Sequence, residues 1–150
     1  MKRITLTQNK SAIVDDEDYE RLSLHTWCYD HGYARSFDPG YMHRFIVDVP
    51  KDKVIDHING DGLDNRKANL RVCERWQNIC NQGKSSRNTS GHKGVTWHKG
   101  AQKWMVELRA AGRRHYLGLY VDLSEAAKVY QDATEKYHGE FAYNVTEKVR

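Results

Sequence analysis

Apolar residues along this chain come in short bursts, and the spacing inside each burst predicts an element. Residues 2–7 (Lys-Arg-Ile-Thr-Leu-Thr) alternate with the period of a strand, and Ser11–Val14 pairs with them across Gln8-Asn9-Lys10 as a hairpin. Asp15 or Asp16 then caps a short helix over Asp16–Leu24, with acids in its first turn where the helix dipole favours them. Trp27, Tyr29, Tyr33 and Phe37 suit a second hairpin turning near Asp30-His31-Gly32. Tyr41–Val49 reads as a helix that buries Met42, Phe45, Ile46 and Val49. Residues 1–40 are thus a small scaffold of hairpins and a helix.

The stretch Val54–Asn78 has a different grain. A short strand runs into a turn region rich in Gly, Asn and Asp, then a second strand, then a helix whose Trp76, Ile79 and Cys80 form an apolar stripe with Asn78 opposite. Gln82–Gly91 has no apolar residue and reads as a linker, with Lys84 and Arg87 able to track phosphates. Beyond it Gly94–His98, Lys103–Ala110 and Arg114–Tyr120 are strand-like. Asp122 and Glu125 have capping-box spacing for a helix from about Leu123 to His138, stopped by Gly139. Ala126, Tyr130, Ala133 and Tyr137 recur along one face of that helix, and the alanines let it lie close to a sheet. Trp104, Val106, Leu108, Leu117 and Leu119 are expected to face it. The predicted class is α+β: a small N-terminal α/β scaffold, a ββα unit, then a three-stranded antiparallel sheet packed on one helix. The boundaries fall at 1–40, 41–82, a linker at 83–91, and 92–145.

Composition narrows the partners. The net charge is +4, but residues 1–83 carry 12 Lys/Arg against 13 Asp/Glu while residues 84–150 carry 12 against 7. A basic C-terminal half with interleaved aromatics suggests a polyanion. No apolar run is long enough for a membrane span or a signal peptide, so no membrane partner is expected and the cytoplasm is the expected compartment. Cys28, Cys73 and Cys80 lack the short spacing of zinc sites and read as reduced and mostly buried.

The chemistry sits in Val54–Asn78. Cleaving a phosphodiester needs a water made nucleophilic and a cation to neutralise developing charge. His57 suits the first task because an imidazole titrates near neutrality. Asp56 and Asn78 suit the second, since Mg²⁺ prefers hard oxygen ligands. Adjacent strand residues point to opposite faces, but Asn59-Gly60 is expected to end the strand and relax that alternation. Asn59, Asp61, Asp64 and Asn65 read as ordinary turn residues, and Asn69 as a structural tie across the loop.

The order Met42-His-Arg-Phe, Ile55-Asp-His-Ile-Asn-Gly, Asp64-Asn-Arg, Asn69-Leu-Arg and Gln77-Asn78 closely resembles the HNH endonucleases, especially the phage and homing-type group. The resemblance implies a ββα-metal fold over residues 41–82, with Asp56 and Asn78 as metal ligands. His57 becomes the general base, and Asn69 the loop-bracing member of the catalytic set. Asn78 stands where many members carry a final histidine, which favours one Mg²⁺ or Mn²⁺ per site over Zn²⁺. His43, Arg44 and Arg71 join Lys84 and Arg87 as candidate DNA contacts.

The C-terminal pattern Lys93-Gly-Val, Lys103-Trp-Met-Val-Glu-Leu-Arg, Tyr116-Leu-Gly-Leu-Tyr and Glu125-Ala-Ala resembles the plant ethylene-response-factor (APETALA-type) DNA-binding domain. That resemblance puts DNA-facing positions at Lys93, Thr96, His98, Glu107, Arg109, Arg114 and Tyr116. Thr96 and His98 replace arginines usual in the plant domains, so the plant target sequence is not inherited. Together the expectations are a strand-nicking endonuclease, phage- or bacterium-encoded, acting on double-stranded DNA as a monomer or weak dimer. The alternative is a DNA-binding transcriptional regulator with an inactive nuclease centre. An RNA-binding or structural protein ranks last, for want of an RNA-recognition motif.

Overall fold

The computed structural model describes residues 1–143, which form two compact units, Met1–Arg75 and a second beginning at Trp76. The architecture is α+β, built on small antiparallel sheets.

In the first unit three two-stranded sheets follow one another: β1 (Lys2–Thr5) with β2 (Ser11–Val14), β3 (Cys28–Asp30) with β4 (Tyr33–Arg35), and β5 (Val54–His57) with β6 (Leu70–Cys73). The β3–β4 turn is His31-Gly32, both at positive φ (47° and 94°), the conformation that matches the twist of a tight hairpin. Helix α1 (Asp16–Ser23) lies where the acids predicted it. Asp15 is its N-cap residue, as one of the two candidates, but its side chain makes no capping bond: Oδ2 accepts from the Lys67 backbone N–H at 2.8 Å instead. Helix α2 is shorter than expected, Met42–Ile46, because Val47 turns extended and Pro50 disfavours helical geometry at Val49. Val14, Leu22 and Met42 are fully buried, and the Trp27 indole donates to the Leu22 carbonyl at 2.8 Å.

This scaffold holds the 58–69 loop directly. The Ile13 N–H donates to Leu63 O and the Asn65 N–H to Ile13 O, each at 2.8 Å, so the free edge of β2 pins the loop.

The second unit opens with α3 (Arg75–Asn81), which starts at the boundary. Strands β7 (Val95–His98), β8 (Lys103–Ala110) and β9 (Arg113–Tyr120) follow in that order across one antiparallel sheet, then α4 (Leu123–His138) and a 3₁₀ turn at Gly139–Phe141. The Asp122 carboxylate accepts from the Glu125 N–H at 2.8 Å, as the capping spacing requires. Ala126 packs on Val95 and Val106, all three fully buried. Gly94, at φ +72°, lies where a Cβ would overlap the Tyr130 ring, so a glycine is needed for α4 to approach β7 this closely.

Three expectations are corrected here. Leu119 was expected under the helix, but a β-bulge at Val106/Glu107 makes Leu117 an extra residue, so Leu119 pairs with Met105 on the face away from α4. Tyr137 was expected on the buried stripe of α4; Thr134 and His138 are buried there instead, because His138 turns inward to bond the Arg109 carbonyl. Ile79 is 54% exposed rather than part of an apolar stripe, since Cys80 takes the inward position with its Sγ 3.9 Å from Arg109 O. The cysteines agree with their reading: all three are free thiols, with Cys73 and Cys80 buried and Cys28 exposed.

Candidate active site

The β5–β6 hairpin sets the centre of the site. Register opposes Asp56 to Arg71 and His57 to Leu70. Cross-strand partners share a face, so the Asp56 carboxylate and the Arg71 guanidinium meet. Arg71 Nε and Nη2 donate to Asp56 Oδ2 at 2.8 and 2.6 Å, with the two side chains only 4% (Asp56) and 15% (Arg71) exposed. Burying two charges is costly, and their mutual hydrogen bonds offset part of that cost. The strand stays regular through His57, so the alternation between Asp56 and His57 is not relaxed as the sequence suggested.

His57 therefore looks into different company. Its Nε2 lies 3.4 Å from Asn65 Oδ1. An amide oxygen can only accept, so this contact calls for the hydrogen on Nε2. The His43 ring meets His57 edge to face at 5.1 Å and stacks on Tyr41 at 5.5 Å, while Tyr33 closes on His57 at 5.7 Å. Burial pushes the His57 pKa below its ordinary value, against the pull of Asn65 and the nearby carboxylates. Burial, followed by the neighbouring His57 and Arg44, drives His43 down to about 4, and its Nδ1 is buried without a hydrogen-bond partner among the described residues.

The loop between the strands is braced by amides, as expected of Asn69. Its Oδ1 accepts from the Asn59 N–H at 3.0 Å, and its Nδ2 donates to Asn59 Oδ1 at 3.0 Å and Asp64 O at 2.8 Å. Arg66 grips Asp64 through Nε (2.7 Å) and Nη2 (2.6 Å) and holds that carboxyl below the usual carboxylate range.

The remaining candidates are dispersed. Asn78 stands on α3, in the second unit. Arg44, Lys84 and Arg87 are exposed. The Lys93 ammonium donates to the carbonyls of Ile79 (3.3 Å), Cys80 (2.7 Å) and Gln82 (2.5 Å), capping the end of α3. The supposed linker is folded at its end, where Asn88 and Ser90 bond to His92 O and Val95 O. Thr96, His98, Glu107, Arg109, Arg114 and Tyr116 are gathered on the outer face of the β7–β9 sheet. The sequence reading missed Asn65 as more than a turn residue, and missed Tyr33 and Tyr41. Asn65 carried a signal, an amide between Asp64 and Arg66 in the loop after the Asp-His pair; the tyrosines carried none.

Among the described residues no group of three or more His, Cys, Asp or Glu side chains is placed to hold a metal ion. A site made of one carboxylate, one amide oxygen and waters needs no such group. Asp56 in the first unit and Asn78 in the second each offer a hard oxygen of the kind Mg²⁺ takes. Among the described residues no helix is long and apolar enough to cross a membrane.

A strand pair carrying Asp-His, a central bracing asparagine and an asparagine-bearing helix is the pattern of HNH nucleases. Residues 48–79 match the family model described as HNH endonuclease. The chain is 35% identical over 94 residues to "Protein 3.8" of Escherichia phage T7, spanning 63% of this chain and 77% of that protein. It is 29% identical over 140 residues to "Uncharacterized HNH endonuclease L560" of Acanthamoeba polyphaga mimivirus, spanning 87% of this chain and 72% of that protein. No solved structure matches the chain. The chain belongs to the HNH endonuclease family, a family of nucleases acting on DNA and generally dependent on a divalent metal.

Proposed function

We propose that the chain is a metal-dependent DNA endonuclease that nicks one strand at a time, with its second unit acting as a DNA reader. The observation that carries this is His57, buried beside Asn65 with its pKa held down by burial. A neutral imidazole at physiological pH accepts a proton from water, and the Asn65 amide beside Nε2 holds the ring in place for it. As water attacks phosphorus and the bond to the leaving oxygen breaks, His57 takes the water's proton and the leaving oxygen is protonated from solvent. Asp56 and Asn78 would hold one Mg²⁺ or Mn²⁺, which when bound neutralises charge on the phosphoryl oxygens. Asn69 positions the loop that carries His57's partner.

In the second unit the APETALA-type resemblance is supported by a three-stranded sheet with α4 behind it and Arg109, Arg114 and Tyr116 exposed in front. A cationic sheet face of this width fits a major groove. Lys93, engaged in capping α3, contributes charge rather than a direct contact.

Supercoiled plasmid incubated with the protein and Mg²⁺ or Mn²⁺ should yield nicked circles. EDTA should abolish them, and His57→Ala should slow them by roughly 10²- to 10⁴-fold. Absence of nicked circles with either metal overturns the enzyme reading. It would favour the regulator with a silent centre, which the commitment of Asp56 to Arg71 supports.

A further inference from the structure

We infer that the outer face of the β7–β9 sheet recognises thymine in a DNA major groove, through an apolar spot made by Met105 and Leu119. This rests on the reading of the second unit as a DNA binder. The bulge is the origin of the spot. Gly118 pairs with Val106 and Tyr116 with Glu107, leaving Leu117 as the extra residue, and Leu117 packs into the core with α4. Gly118 sits at φ +129°, a conformation that side chains rarely adopt. One inserted residue reverses the phase of every residue after it, so Leu119 emerges opposite Met105 on the outer face. Without the bulge Leu119 would face α4 and Met105 would stand on the outer face without it.

The surroundings commit the spot to one kind of partner. Thr96 lies across from Met105, with Lys103 and His98 at one end of the face and Arg109, Arg114 and Tyr116 at the other. Lys103, Arg109 and Arg114 oppose a single carboxylate, Glu107, which Arg114 already approaches at 3.4 Å. Tyr116 is 59% exposed, and Arg109, Arg114, Thr96 and His98 are exposed too, so the face is open to solvent. A surface that is cationic at both ends and apolar in the middle fits a polyanion bearing an apolar group. The major groove of DNA carries one such group on its unmodified bases, the C5-methyl of thymine.

The test uses the full chain. Duplexes retained from a random-sequence pool are amplified twice, once with thymidine and once with deoxyuridine triphosphate, giving the same sequences with and without the methyl. The wild type should bind the uracil pool about three- to fivefold more weakly per methyl contacted. Met105→Gln/Leu119→Gln alters two half-exposed side chains outside the buried core. It should bind the thymine pool more weakly than wild type and no longer distinguish the pools, with an unchanged melting curve. Equal wild-type affinity for both pools overturns the inference, as does a double variant that still discriminates. Arg109→Ala/Arg114→Ala separates the two levels. If it leaves affinity and salt dependence unchanged, the sheet is not the DNA reader and the underlying reading fails with it. If it weakens binding while the pools bind alike, only the thymine inference falls.

Discussion

His43 and His57 meet edge to face, with ring centroids 5.1 Å apart and planes at 87°. Two imidazoles this close cannot both be charged at low cost, and burial has already pushed His43 down to about 4. The consequence for stability has a definite sign. Above about pH 6.5 neither the native nor the unfolded chain protonates this ring, so its burial carries no proton-linked cost. As pH falls from there toward 4, the unfolded chain takes up a proton that the native state refuses, and stability declines. The loss attributable to His43 is on the order of 2 kcal/mol. His43→Phe keeps an aromatic ring against Tyr41 and should flatten that part of the profile. Urea unfolding of both proteins at several pH values between 7 and about 4.5 measures it; parallel profiles would refute the assignment.

Asn65 gives the second prediction. Its backbone N–H is fixed by Ile13 and its side chain faces His57 Nε2, so one residue links the N-terminal hairpin to the candidate base. Asn65→Ala removes the amide that faces His57 Nε2. Nicking should slow by roughly tenfold to a hundredfold, in kcat rather than KM, as for other partners that orient a reactive histidine. Asn65→Asp keeps an acceptor and should recover most of the rate. A rate in Asn65→Ala equal to wild type would mean that the contact at Nε2 does not orient His57.

Much of this was legible in the chain itself, and the reasons differ by element. The capping pair Asp122 and Glu125, the His31-Gly32 turn and the alternation of β8 are local, so their spacing suffices to place them. The bracing role of Asn69 was legible because its partners Asn59 and Asp64 lie close by in the same loop. Leu119 was misplaced because a bulge resets the period of two by one residue, and nothing in Tyr-Leu-Gly-Leu-Tyr announces which residue is extra. The N-cap position of Asp15 was legible, but the partner of its carboxylate was not, because Lys67 lies 52 residues away. The rings around His57 were hidden for the same reason: Tyr33, Tyr41 and His43 come from another hairpin and helix, and long-range packing leaves no periodic trace.

Gly62 tests that long-range packing. A Cβ added there would collide with the carbonyl of Gly32 and the ring of Tyr33, the residue that closes on His57. One of these is backbone in a tight turn and cannot yield cheaply. Gly62→Ala should therefore destabilise the protein by about 1–3 kcal/mol, the usual cost of overpacking. It should also lower nicking by displacing Tyr33 from His57. Tyr33→Ala placed on the Gly62→Ala background should recover part of the lost stability, because it removes one of the two clashes. If Gly62→Ala melts like wild type, the approach of the 58–69 loop to the β3–β4 turn is looser than described.

Asp56 and Arg71 supply the last test, because their pairing bears on both stability and chemistry. Removing the guanidinium leaves a carboxylate 4% exposed without its main counter-charge, so Arg71→Met should cost about 3 kcal/mol. Asp56→Asn strands the guanidinium in turn and should also destabilise, by a smaller amount, because Arg71 retains more access to water. The double variant removes both charges, and its loss should fall well short of the sum of the single losses, with a coupling of 1 kcal/mol or more by denaturant unfolding. Additive losses would show that the pair contributes nothing beyond its separate parts. Activity divides the two functional readings within the same set of proteins. If Asp56 holds the metal while Arg71 keeps its carboxylate ionised and aimed, Arg71→Met should raise the Mg²⁺ concentration needed for half-maximal nicking. If Arg71 instead occupies the place a metal would need, Arg71→Met should lower that requirement.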